Sequence, residues 1–359
     1  LFPLYPHRNN KTKYMQTSDF DYYLPPELIA QTPLEPRDSS RLLVYDRKTD
    51  EITHCHFYDI GNFLEAGDLL IRNQTRVLPA RIYAKKHETG GKAEILLLRR
   101  IEPDTWEALV GGKRLHEGTI LDLEEGLSAE IVQDLDNSRR LIRFTGPFED
   151  FMQKNGQMPL PPYIHKRLKD PERYQTVYSR QDLAGSAAAP TAGLHFTEEL
   201  MQKLEARQIH FADVTLHVGL DTFQPVSEAD PQTHRIHKEW CELSADTAKK
   251  ITEARANGHR IVAVGTTSAR TLESAAQAAL KAGSPDCIIP ISGDTGIYIL
   301  PGYEFRAVDA MITNFHLPKS TLIMMISAFT SREKILSIYQ QAIDMKYRFF
   351  SFGDAMLIL

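Results

Sequence analysis

The alternation of apolar and polar positions changes character along the chain. After Met15 an extended opening holds a short helical stretch, residues 26–31, which Pro33 and Pro36 stop. Arg41–Asp46 reads as a buried strand running into a turn, and Glu51–His56 as a second with Ile52, His54 and His56 on one face. Short β-type runs then follow at Leu69–Asn73, 77–84, 93–100, 105–110, 119–123, 129–134 and 141–144, broken by glycine turns. Several short strands at this spacing, with no long helical period, predict a small antiparallel barrel.

Past the Pro-Leu-Pro-Pro stretch at 159–162 the pattern becomes mixed. Helices are predicted over 197–207, where Thr197 caps and Leu200 and Leu204 stand four apart, and over 244–257, stopped by Gly258. Further helices are predicted over 269–282 and 331–344, and strands over 209–216, 260–264, 288–291 and 310–313. This alternation indicates an α/β sheet. The predicted fold is therefore α/β plus β: a larger, discontinuous α/β catalytic domain (15–74 and 156–359) carrying an inserted small antiparallel β-barrel domain (75–155). Residues 1–14 read as a frayed or non-native extension, with Met15 the natural start.

Composition narrows the function classes. At 359 residues, 42% hydrophobic and 25% charged, the chain has room for two cores and is not of disordered type. No apolar stretch is long enough to cross a bilayer as a helix, and no leader of secretory type opens the sequence. Cys55, Cys241 and Cys287 form no C-x-x-C pair, which argues against a disulfide framework or zinc ribbon and for a reducing, cytoplasmic setting. No motif sets an oligomeric state, and a monomer is the default. The formal charge of −5 becomes −8 once Arg8, Lys11 and Lys13 of the extension are set aside. Such a chain cannot hold RNA by bulk attraction, so RNA contact needs a local basic surface. The best stretch is 156–180, with Lys166, Arg167, Lys169, Arg173 and Arg180 against Asp170 and Glu172 and with Tyr163, Tyr174 and Tyr178 interleaved. A solvated charged loop is the alternative.

Four constellations could carry chemistry. The run Ile-Val-Ala-Val-Gly-Thr-Thr-Ser at 261–268 is a buried strand, a tight turn and a helix start, where outward N–H groups can meet a polar or anionic group. Ordinary capping by Thr266, Thr267 or Ser268 competes with that reading, and the turn is neither a dinucleotide nor a Walker fingerprint. Thr233 to Trp240 gathers His234, Arg235, His237 and Glu239. As a strand it would put His237, Glu239 and Arg235 on one face and His234 on the other, suiting a general base with an orienting partner better than a metal. His195 follows a run of small residues, where it is either a placed functional group or a satisfied core histidine. His217 and Asp221 lie nearby in sequence at a strand end. Finally Asn314, Phe315 and His316 end a hydrophobic strand, where Asn could read a base edge and Phe could stack on one.

Together these stretches resemble one family, the S-adenosylmethionine:tRNA ribosyltransferase-isomerases of queuosine biosynthesis. Nine motifs carry the likeness in order: Asp-Phe-Asp at 19–21 and segments 28–43, 67–81, 189–196, 217–226, 234–239, 265–270, 313–320 and 347–356. The resemblance runs from about Met15 to the C-terminus, and residues 1–14 lie outside it.

The resemblance implies a large α/β domain with an inserted β-barrel. It implies an enzyme acting on tRNA that carries 7-aminomethyl-7-deazaguanine at the wobble position. The ribosyl group of S-adenosylmethionine is transferred and rearranged to an epoxycyclopentane, giving epoxyqueuosine-tRNA, adenine and methionine. S-adenosylmethionine is a cosubstrate; no permanently bound cofactor and no metal is implied. The sulfonium acidifies the adjacent ribose carbon, so a base must take its proton. On these grounds His195, Asp221, His234, His237 and Glu239 are expected to share proton transfer and ribose binding. Gly265, Thr266, Thr267, Arg270, Asn314, Phe315 and His316 are expected to hold the cosubstrate. Arg37, Arg41, Arg76, Arg81, Lys166 and Arg167 are candidates for tRNA or base binding. A non-catalytic RNA-binding module, which S-adenosylmethionine would not stabilise against heat, and an ordinary methyltransferase, which would not release adenine, are the rivals.

Overall fold

The computed structural model describes residues 15–135, 138–219 and 225–359. Its strands, in chain order, are β1 (Arg41–Asp46), β2 (Glu51–His56), β3 (Leu69–Asn73), β4 (Arg76–Val77), β5 (Arg81–Lys86), β6 (Lys92–Glu102), β7 (Thr105–Gly111), β8 (Ile120–Asp122) and β9 (Ser128–Asp134). They continue with β10 (Arg139–Phe144), β11 (Ala184–Ser186), β12 (His210–Leu216), β13 (Glu239–Leu243), β14 (Ile261–Val264), β15 (Ile291–Thr295), β16 (Ala310–Asn314) and β17 (Ala355–Ile358). The helices are α1 (Phe148–Asn155), α2 (Glu198–Glu205), α3 (Ala245–Ala256), α4 (Thr266–Ala282), α5 (Thr321–Phe329) and α6 (Arg332–Asp344).

Nine strands form one sheet in the order β15-β13-β12-β3-β14-β16-β17-β1-β2. Its centre, β12-β3-β14-β16, is parallel throughout, so the carboxyl ends of these four strands emerge at one edge. β16 and β17 pair antiparallel and β17 and β1 pair parallel, which brings the starts of β17 and β1 to the same edge. Both faces are covered, as a parallel sheet requires. On one face Ile261 and Ala263 of β14 pack under α3 to α6; on the other Val262 and Val264 meet Phe57, Phe196 and α2. The alternation of side chains along each strand thus fills two cores at once. Among the described residues no helix is long and apolar enough to cross a membrane.

β5 to β10 close into a six-stranded antiparallel barrel, in the order β10-β7-β6-β5-β8-β9. Small and branched residues such as Ala84, Ile95, Ala108, Ile131 and Ile142 pack in its core, and Phe148, Phe151 and Met152 of α1 pack against it. The chain leaves the sheet through β4, which pairs with β11, and Arg81 and Gln157 exchange backbone hydrogen bonds of 3.1 and 2.9 Å where it enters and leaves the barrel.

Several predicted elements take different bounds. Residues 26–31 form only a 3-10 turn, Pro26–Leu28, because Ile29 and Ala30 are drawn into pairing with Phe349. The 288–291 strand begins only at Ile291, as Pro290 has no N–H for a ladder. α4 starts at Thr266 rather than Ala269, because Gly265 turns the chain alone with φ +89°. α5 has no polar face to betray a helical period; seven of its residues are buried.

Asn73, fully buried at the end of β3, sets the site edge. Its Nδ2 donates to the Leu216 carbonyl at 2.9 Å, and its Oδ1 accepts from the N–H groups of Leu216 and Thr75, both at 3.1 Å. Asn73→Ala strands these buried groups and is expected to cost about 3 kcal/mol of stability. A urea-unfolding midpoint equal to the wild type's would refute this clamp.

Candidate active site

The strand ends gather chemistry along one edge of the sheet. β12 delivers His217 to Gly219, β14 delivers Gly265 to Thr267, and β16 delivers Asn314 to His316. Open α/β sheets bind ligands at such carboxyl ends. Between this edge and the barrel lies a cleft of about 940 Å³. His217, His234, His237, Glu239 and Arg270 line it on the sheet side; Arg100, Trp106 and Arg139 line it on the barrel side.

Two carboxylate pairs define the sheet side. Glu239 and Arg270 form a buried ion pair, with side-chain exposures of 7% and 5%, and the second oxygen of Glu239 accepts the Gly219 N–H at 2.7 Å. Burying such a pair is costly unless its remaining hydrogen bonds are met, yet Nε and Nη2 of Arg270 have no partner among the described residues. His234 Nδ1 lies 2.9 Å from Glu228 Oε2, and its ring meets Tyr298 edge-on at 5.8 Å. This carboxylate–imidazole pair has the form of an oriented general base. His237 is exposed on the cleft wall.

The segment bearing these groups is not the strand that its sequence suggests. A 3-10 turn, Pro231–Thr233, is followed by an irregular stretch, and β13 begins only at Glu239. Face-sharing by strand alternation therefore does not relate His237 to Glu239. Asp221 lies outside the described residues. His217, which had no assigned role, is held tightly here. Its ring stacks on Trp240 at 5.1 Å, its Nδ1 is 2.9 Å from Thr75 Oγ1, and a Cβ on Gly185 would come within 2.8 Å of it. Burial pushes its pKa down.

His195 stands apart from the cleft-lining groups. It ends the 3-10 turn Thr191–His195, stacks on Phe57 at 5.0 Å, and lies between Ser40 Oγ (2.8 Å from Nδ1) and Asn314 Nδ2 (3.2 Å from Nε2). The Asn314 amide also donates to the Phe350 carbonyl and its Oδ1 accepts from Thr191 Oγ1, which fixes its orientation. Nε2 of His195 is therefore an acceptor, and Nδ1 carries the proton donated to Ser40. Burial, reinforced by Arg348 and Arg37, pushes its pKa down to about 3. His316 is likewise buried and lowered to about 3 by desolvation, with Nε2 at 2.7 Å from Thr313 Oγ1. The Phe315 ring belongs to the core, against Tyr339, Tyr347 and Phe349, and is not free to stack on a base.

The α4 start also departs from the capping explanation. Gly265 is the N-cap and offers no side chain; Ser268 Oγ bonds back to the Val264 carbonyl at 2.8 Å.

A family model described as queuosine biosynthesis protein matches residues 17–358. The chain belongs to this family. The S-adenosylmethionine:tRNA ribosyltransferase-isomerase of Staphylococcus haemolyticus is 50% identical over 349 residues, covering 96% of this chain and 100% of the relative. That of Staphylococcus aureus strain Newman is 49% identical with the same coverage. The crystal structure of S-adenosylmethionine tRNA ribosyltransferase from Thermotoga maritima is 40% identical with a TM-score of 0.55, covering 95% of this chain and 100% of that one.

In this member of the queuosine biosynthesis family the candidate RNA-contacting residues divide into two groups. Arg37 donates to the carbonyls of Gln175 and Glu172; Arg41 bonds Asp354 at 3.2 Å and lies 4.0 Å over the Tyr347 ring. These two are committed to internal bonds. Arg76, Arg81, Lys166 and Arg167 instead line a second groove of about 860 Å³, which touches the cleft at Leu78, Gln153 and Ala184. Arg76 pairs with Glu172 and Arg81 with Glu94 at 3.2 Å, whereas Lys166 and Arg167 are exposed and form no ion pair among the described residues.

Because His195 and His316 have folded pKa values near 3 against an ordinary 6.5, protons bind the unfolded chain first as pH falls. Stability is therefore full above about pH 6.5 and is lost progressively toward pH 3. At pH 5 the ring ¹⁵N shifts of both should still show neutral imidazole; a protonated pattern there contradicts the assignment.

Proposed function

We propose that the protein is an S-adenosylmethionine:tRNA ribosyltransferase-isomerase, acting on tRNA that carries 7-aminomethyl-7-deazaguanine at the wobble position. It transfers and isomerises the ribosyl group, giving epoxyqueuosine-tRNA and releasing adenine and methionine. The observation that carries this reading is family membership spanning residues 17–358, with relatives of that name aligned over 96% of the chain. The cleft supports it, being large enough for a nucleoside and a flipped base and walled by both the barrel and the sheet edge.

In this reading His234, oriented by Glu228, takes the proton from the ribose carbon beside the sulfonium. His237 on the same wall serves the departing adenine, and the Glu239–Arg270 pair, which lines the same cleft, holds ribose hydroxyls. Asp221 belongs to the same group by sequence. His195, neutral and fully bonded, is a positioning residue that fixes Asn314 at the end of β16. The turn at Gly265 to Thr267, with Asn314 and His316, holds the cosubstrate. Lys166 and Arg167 in the adjoining groove track tRNA phosphates, with Arg76 and Arg81 beside them.

The decisive experiment incubates the protein with S-adenosylmethionine and tRNA bearing the deazaguanine base, followed by mass spectrometry. Free adenine, free methionine and a heavier nucleoside are expected; S-adenosylhomocysteine would indicate methyl transfer instead. His234→Gln should slow single turnover by roughly a hundredfold or more, and Glu228→Gln by less. An unchanged rate in His234→Gln removes it as the base. Replacing Lys166 and Arg167 together by Ala should weaken tRNA binding and lower its logarithmic salt slope by about 2, measured by filter binding across salt concentrations.

A further inference from the structure

We infer that the N-terminus of α4 holds the carboxylate of the cosubstrate's amino-acid end, in a small pocket beside the main cleft. This rests on the reading of the protein as S-adenosylmethionine-dependent.

The pocket has about 40 Å³, room for about three waters, or for the three heavy atoms of a carboxylate. It is lined by Gly265, Thr266, Thr267, Asn314 and Ser351 among others, and no acidic side chain of the described residues lines it. Its donors are unspent. The first helical bond of α4 runs from the Ala269 N–H to the Gly265 carbonyl at 3.1 Å, so the N–H groups of Thr266, Thr267 and Ser268 are left over. Gly265 has no side chain to cap them. Thr267 is 6% exposed, and its Oγ1 is buried without a hydrogen-bond partner among the described residues. A Cβ on Gly265 would lie 3.8 Å from that hydroxyl and 3.4 Å from Ala192 Cβ, so the absent side chain keeps the space before the hydroxyl open. A 17-residue helix adds the positive end of its dipole. Donors that are buried, unmet and gathered at a helix start call for an anion.

The anion's source follows from shape. A tRNA backbone phosphate carries a sugar on each side and cannot enter so small a pocket, whereas the carboxylate of an amino acid is a chain end. Val218 and Leu322 line both this pocket and the 940 Å³ cleft, so a ligand anchored here extends its sulfonium and ribose into the cleft past these two side chains.

The test titrates the protein, with unmodified tRNA present, with S-adenosylmethionine and with its decarboxylated analogue. The analogue should bind the wild type roughly ten- to a hundredfold more weakly. Thr267→Val keeps the shape and breaks no existing bond of the hydroxyl. It should weaken S-adenosylmethionine roughly tenfold and leave the analogue's affinity and the tRNA affinity unchanged. Equal binding of the two ligands to the wild type overturns the inference, as does a variant that weakens both alike. A loss confined to tRNA would give the pocket to an RNA phosphate. Binding by neither ligand would overturn the cosubstrate reading together with this inference.

Discussion

The parallel pairing of β12, β3, β14 and β16 is the constraint on which the rest depends. Parallel strands must be joined by crossovers, so their carboxyl ends collect at one edge while the connecting chain is spent on the faces. The polar turns after these strands have no choice of location. Asn73 locks the edge by bonding across from β3 to the end of β12. The barrel then needs only to stand over that edge for a cleft to exist.

Polar groups at the edge are handled in two physically distinct ways. His195 is buried as a neutral ring between Ser40 and Asn314, and His316, on the small pocket beside the cleft, as one bonded to Thr313. Desolvation makes a charge there expensive, so these residues stiffen the strand ends. Along the cleft, carboxylates accompany the cationic and imidazole groups, as in Glu239 with Arg270 and Glu228 with His234. There Nε and Nη2 of Arg270 have no partner among the described residues, and in the small pocket beside the cleft neither has Thr267 Oγ1. The division separates His195, whose two ring nitrogens are both bonded, from Arg270 and Thr267, whose buried donors still have bonds to give.

Strand and helix positions were legible wherever the apolar period was clean: Arg41–Asp46, Glu51–His56 and Leu69–Asn73 match residue for residue. α5 hid because a helix buried all round has no period, and β13 because its first residue is a glutamate whose charge is met in space by Arg270 and the Gly219 N–H. The site residues were legible as types and not as groups. His195 and His234 read alike in sequence, and only the fold gives one to a core partner and the other to a carboxylate in the cleft. Glu228 carried no signal at all, since its meaning comes from a neighbour six residues on across a turn. His217 could have been promoted by its place at a strand end; its fixing by Trp240 and Gly185 could not have been foreseen.

Where Arg81 and Gln157 exchange their two backbone hydrogen bonds, the chain departs for the barrel and returns at a single stitch. The sheet therefore experiences the intervening segment as a closed loop whose ends are already tied. Lengthening or shortening a barrel hairpin changes that loop's entropy only logarithmically and does not move the stitch. The barrel can thus drift in sequence and size among related proteins while the strand ends beneath it keep their spacing.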